Sequence, residues 1–360
     1  MHDVSTTAAL AAKPKPIFKA DYNLEATPDN LIRGALSPFK KPILTVESGA
    51  IVDIETVSML GIIGKFADYA DKYGLSKSDP VIAKILALDD LEQYKIPGAV
   101  TPGPHTLTGP IAVKGAMPGD VIEVRVLDTR LSTEFGNVMT LPGRGGVPDL
   151  VKEPASFRVE FDNTKTIARY QGVEVSTNPF FGIMGLAPKQ PVPSFPPGVF
   201  GGNMDIKAFC SGASVFLPVQ VEGGLYYTGD GHAAQGDGEV GLTAVETSVS
   251  GLIQFILHKG MKLSMPMGET SETYVVTGMN EDLNLAMQQA IVEAATFISG
   301  KNGIIFNEAL GLCSICVNFK IAQVVNGVKG IYASIPKAAI GAGKLGDFWN
   351  ADGSARYKPV

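Results

Sequence analysis

The chain has 360 residues, a formal net charge of −6 and 45% hydrophobic residues. That length suggests about two domains, and that composition supports a sizeable core. The acidic balance, without a basic run of five or six residues, argues against a nucleic-acid partner. No apolar run reaches about 18 residues, so no membrane span is predicted.

The 41 glycines and 24 prolines point to many turns between short strands. Residues 1–20 read as a mobile tail without a cationic leader. Residues 42–56 alternate apolar and polar residues around a Ser-Gly turn. In 119–130, Ile122, Val124 and Val126 face one way and Glu123 and Arg125 the other, which predicts a strand with one wet face. Phe157, Val159 and Phe161 repeat the pattern. Residues 213–230 predict two strands around Gly223-Gly224, and 243–260 a further β-branched stretch. The Pro/Gly-rich connection 176–203 is long enough to be functional, and it leads into Asp205. In 280–303, Leu283, Met287, Ile291, Ala294 and Ile298 share a helical face, with Asn280 as N-cap and Gly300 as the stop. A short helix over 307–316 and strands over 319–325 and 329–335 follow. The expected fold is mainly β, a jelly-roll-like β-sandwich body over 21–250, with an α+β C-terminal part over 251–360.

Chemistry concentrates in few places. His2 is in the tail, and His258 ends an apolar strand. His105 and His232 lie in Gly/Pro-rich loops beside small residues. Residues 229–239, GDGHAAQGDGE, place Asp230, His232, Asp237 and Glu239 among glycines, and upstream Asp205 stands after two glycines in GGNMD. Imidazoles and carboxylates converging from separate segments suit a divalent cation, zinc with two His and an Asp, calcium or magnesium with more oxygens. The spacing matches neither an EF-hand nor H-E-x-x-H, and Asp-Gly is also ordinary turn chemistry, so ion site and solvated turn both stand at this point. Cys210, Cys313 and Cys316 cannot all pair, which fits a cytoplasmic location. Cys313 and Cys316 read as structural thiols in an apolar helix. Ser194 and Ser211 lie in loops without a recognisable partner.

Several phrases, taken in order, carry a resemblance: residues 105–128, 180–188, 196–205, 216–247 and 312–337. Together they resemble the acetamidase/formamidase family. The resemblance implies hydrolysis of small linear amides to a carboxylic acid and ammonia, and a divalent metal near these loops, zinc first and calcium next. It implies His105, Asp205 and His232 as metal ligands, with Glu239 moving the proton and Glu55 and Asp237 as further catalytic carboxylates. Asn203, Gly231 and Ala233 would bind the amide substrate, and the small residues Gly231, Ala233 and Ala234 would shape a tight pocket for short acyl groups. A homo-oligomer is expected. Two departures stand out, Ser58 and Asn318, where the family often reads Asp. They keep open an amide-binding protein without catalysis. An acyl-enzyme through Cys210 or a serine, with a structural metal, is the other alternative.

Overall fold

The computed structural model describes residues 18–96 and 101–341. Most of the predicted tail therefore lies outside the described residues. Strand outweighs helix, 38% to 17%, which makes the fold mainly β with helices near the C-terminus. Two large sheets carry it. The first has nine strands and draws on both sides of residue 250, from Tyr22–Leu24 at one edge to Asn318–Gln323 at the other. The second has eleven, with Tyr226–His232 between Thr106–Val113 and Phe180–Leu186.

Alternation gives each sheet an apolar face, and the two faces share one core. Val124, Val126, Val215 and Phe255 from the first sheet meet Ile111, Phe181, Met184 and Tyr226 from the second. Each such side chain is worth roughly 1.5–3 kcal/mol when taken out of water. The opposite face of the first sheet packs on the C-terminal helices through Phe216, Tyr274, Val276 and Ala333 against Ala294, Ile298 and Cys313.

Several expectations need correction. The strand Val121–Leu131 has no wet face at Glu123 and Arg125, because both are buried. It lies inside the sheet between Ser214–Pro218 and Val249–His258. Arg125 forks onto the Glu123 carboxylate at 2.7 and 3.2 Å, and Ser214 and His258 add hydrogen bonds at 2.9 and 2.7 Å. A buried ion pair satisfied in this way alternates in sequence just as a solvated face does. The two strands expected around Gly223-Gly224 are present, Ser214–Pro218 and Tyr226–His232, one in each sheet.

The long helix runs Leu283–Asn302 and is capped by Asp282, whose side chain accepts from Asn284 N and Leu285 N. It ends at Gly303, in the left-handed region at φ 65°, rather than at Gly300. Its buried face is a stripe of small residues, Ala286, Ala290, Ala294 and Ala295 with Ile298, because it lies close on the sheet. A Cβ on Gly278 would come within 2.1 Å of Ala286 O, so the contact leaves no room. Two short helices, Phe66–Lys72 and Pro80–Leu86, pack their own small core beside the second sheet.

Candidate active site

Register assembles the site. His232 ends the strand Tyr226–His232 directly opposite Glu246 on one neighbouring strand and Phe180 on the other. Asp230 is two residues back and therefore on the same face of the strand. His105 immediately precedes Thr106–Val113. Asn203 closes the short strand Gly201–Asn203, and Asp205 follows it. Glu239 comes from the glycine-rich loop, which is tied to the C-terminal strands by Gly238 N donating to Ala322 O at 3.0 Å.

The resulting cluster is dense. Asp230 Oδ2 lies 3.6 Å from His105 Nε2 and 3.5 Å from His232 Nε2. Glu246 Oε1 and Glu239 Oε1 are 3.2 and 3.9 Å from His232 Nε2, and Asp205 Oδ1 is 4.0 Å from its Nδ1. All six side chains are buried. Asp205, Asp230 and Glu239 have left-handed backbones, at φ 49°, 56° and 45°. That conformation is uncommon outside glycine and is found preferentially at functional sites.

Outer partners fix the groups. His232 Nδ1 donates to Gln235 Oε1 at 2.9 Å, and Gln235 donates to Asp205 O at 2.8 Å. Asn326 Nδ2 donates to Asp205 Oδ2 at 2.6 Å. Asn203, with its amide oriented as its neighbours require, donates to Asp230 Oδ2 at 2.9 Å and Asp205 Oδ1 at 3.2 Å. His105 Nδ1 shares a hydrogen bond of 2.8 Å with Ser194 Oγ. Gly182 faces the centre, where a Cβ would sit 2.4 Å from Asp205 Oδ1 and 2.8 Å from Asp230 Oδ2.

The electrostatics follow from packing four carboxyls and two imidazoles in a dry place. Burial lifts Asp205 to about 7 against the pull of His232. It lifts Glu246 to about 7, also against His232. Burial and then the Asp205 charge push Glu239 well above the usual carboxylate range. Burial also opposes charge on Asp230, yet His105 and His232 outweigh it and hold that carboxyl down to about 2. Burial lowers the His105 imidazole, whereas Glu246 and Asp230 overcome burial at His232 and raise it.

Four buried atoms here make no hydrogen bond: Asp230 Oδ1, His232 Nε2, Glu239 Oε2 and Glu246 Oε2. Such atoms are costly unless something satisfies them. Asp205, Asp230 and His232 bring donor atoms within 4.8 Å of one another, as do His232, Glu239 and Glu246. Mixed imidazole and carboxylate donors, already held by outer hydrogen bonds, are a donor set that a divalent cation fits.

A cavity of about 560 Å³ stands over the cluster, lined by His105, Asn203, Asp230, Glu239, Glu246 and Asn326 among others. Other expected residues lie elsewhere. Glu55 ion-pairs with Lys84 and is 38% exposed. Asp237 accepts from Tyr332 Oη at 2.8 Å and pairs with Lys207 at 2.9 Å. Gly231 packs on Val249, and Ala233 belongs to the shared core, so neither lines the cavity. Cys210 is also absent from the lining. Asn318 is exposed on an edge strand, whereas Ser58 Oγ accepts from Leu60 N, and Leu60 lines the cavity. Nothing in the local sequence marks Glu246 and Asn326; cross-strand register and a contact across 121 residues bring them in.

Fold and site thus define a two-sheet protein with a buried histidine–carboxylate centre beneath a cavity. The chain belongs to the acetamidase/formamidase family, whose model matches residues 87–195 and 193–340. It is 27% identical over 203 residues to an acetamidase of Mycolicibacterium smegmatis, which takes in 38% of this chain and 49% of that one. The alignment thus spans about half of that curated relative. Its fold matches the crystal structure of a predicted acetamidase/formamidase from Thermoanaerobacter tengcongensis, with TM-score 0.72 and 29% identity over 89% of this chain and 96% of that one. An acetamidase from Bacillus halodurans matches with TM-score 0.71 and 25% identity over 89% and 99%.

Proposed function

We propose that this chain hydrolyses linear amides to a carboxylic acid and ammonia with the help of a divalent metal, zinc before calcium. The carrying observation is the group of four buried atoms that make no hydrogen bond, on two imidazole–carboxylate clusters under the cavity. In this reading His105, Asp205 and His232 hold the cation, joined by Asp230 and Glu246, which lie closest to the His232 Nε2. Bound there, zinc supplies acidified water and polarises an amide carbonyl. Glu239 faces the cavity, and its proton affinity is raised, so it delivers a proton to the leaving nitrogen. Asn203 and Asn326 keep Asp205 and Asp230 aimed at the centre.

Metal analysis of the purified protein, paired with ammonia release from formamide, acetamide and propionamide, tests this. Glu239→Gln keeps the fold and the metal and lowers kcat by about 10²–10⁴-fold. Ammonia release that survives complete metal removal rejects the metal's part.

The proposal extends to a cytoplasmic homo-oligomer. Its three cysteines are free. The outward side of the helix Phe306–Cys316 exposes Phe306, Leu310 and Ile315, the last 80% exposed. A solution mass near 38 kDa by light scattering would rule assembly out.

A further inference from the structure

We infer that the site takes an amide longer than acetamide, with an anionic far end, such as a carboxylate, received by Arg144. This rests on the amide-hydrolase reading and concerns only what lies beyond the amide group. An amide of four heavy atoms displaces roughly 100 Å³ if each atom takes about the share of a water. The cavity, about 560 Å³, holds several times that. The small residues expected to tighten it, Gly231 and Ala233, are not in its lining.

The lining is also chemically mixed. Its buried acids are Asp230, Glu239 and Glu246. Leu60, Met139, Leu141, Phe195, Leu242 and Val325 supply an apolar wall, the kind of surface an alkyl or aryl chain covers. Arg144 is the one lysine or arginine among the described lining residues. No described carboxylate pairs with it, although Asp149 and Glu153 are in the same loop. Its planar fork of donors matches a carboxylate through two parallel bonds. A short neutral amide would leave this cation and the apolar wall without a role.

Arg144 is carried on a defined support. It sits between Gly143 and Gly145, both left-handed at φ 74° and 81°. Gly146 N donates to Val240 O at 2.8 Å, and Met139 N to Thr243 Oγ1 at 2.9 Å. Val324 N donates to Gly238 O at 3.1 Å. Three segments of the wall, near 139–146, 238–243 and 322–326, are thereby tied together.

The test compares kcat/KM for acetamide, hexanamide and 6-amino-6-oxohexanoate, whose chains match in length in the last two. The acid-ended amide should exceed hexanamide by about tenfold or more, as a charge-assisted pair implies. R144Q should bring that ratio to about one, and R144K should keep part of it. A native ratio at or below one, or a ratio unmoved in R144Q, shows a solvated surface arginine and overturns the inference. Where no amide yields ammonia, the hydrolase reading fails separately, and titration calorimetry decides. Tighter binding of 6-amino-6-oxohexanoate than of hexanamide, lost in R144Q, still supports the anionic end. Equal binding overturns it.

Discussion

Ser194 decides which nitrogen His105 offers to the centre. Its hydroxyl engages Nδ1 at 2.8 Å and accepts from the His105 backbone N–H at 3.3 Å, leaving Nε2 toward Asp230. Such outer partners typically carry 10–100-fold in metal affinity. Ser194→Ala should therefore weaken zinc binding by about that factor while circular dichroism stays unchanged; unchanged affinity in a metal titration would remove the role. His105 and His232 are legible as candidates because small residues stand beside each in sequence, although His232 ends a strand rather than lying in a loop. Their partners were less so. Ser194 is 89 residues from His105 and looked partnerless in sequence. Glu55 stands in a phrase that resembles the family, but the fold gives its carboxylate to Lys84 and to the Ala26 N–H.

At the scale of elements, the strand Phe180–Leu186 acts as the wall behind the centre, and Gly182 is its nearest point. Gly182→Ala would drive a methyl between Asp205 and Asp230. We expect the variant to fold with a loss of metal and of turnover greater than tenfold, read by metal content per chain, because overpacking at a fixed site forces the carboxylates apart. A fully loaded, active variant would show that the strand yields. Strand positions were readable from alternation, and so was the C-terminal helix over most of its length. Sheet membership was not. Leu44–Val46 and Ile51–Glu55 are separated by one short turn yet enter different sheets, a choice made by distant partners such as Ile111 and Ile253. Of the two short helices before residue 90, Pro80–Leu86 does carry a signal, Asp79 as N-cap followed by Pro80, with Val81 N and Ile82 N donating to the aspartate.

For the whole molecule, the centre couples stability to pH and to metal. Asp205 and Glu246 are raised to about 7 from usual values of 3.8 and 4.5. Carboxyls raised in the fold bind protons more tightly there than in the unfolded chain. Their contribution is complete below about pH 4 and is lost as pH rises through 7. Metal-stripped protein should thus unfold at lower denaturant at pH 8 than at pH 5, by an amount on the order of a few kcal/mol. Zinc should flatten the trend by taking the place of the protons; a flat profile without metal would contradict the arrangement. The left-handed backbones at Asp205, Asp230 and Glu239 have a consequence for evolvability. A selection for heat resistance alone would favour glycine at Glu239, which releases a strained main chain and an unsatisfied buried oxygen at one stroke. Such variants should melt later and turn over less, so durability and turnover pull this chain in opposite directions at the same residue.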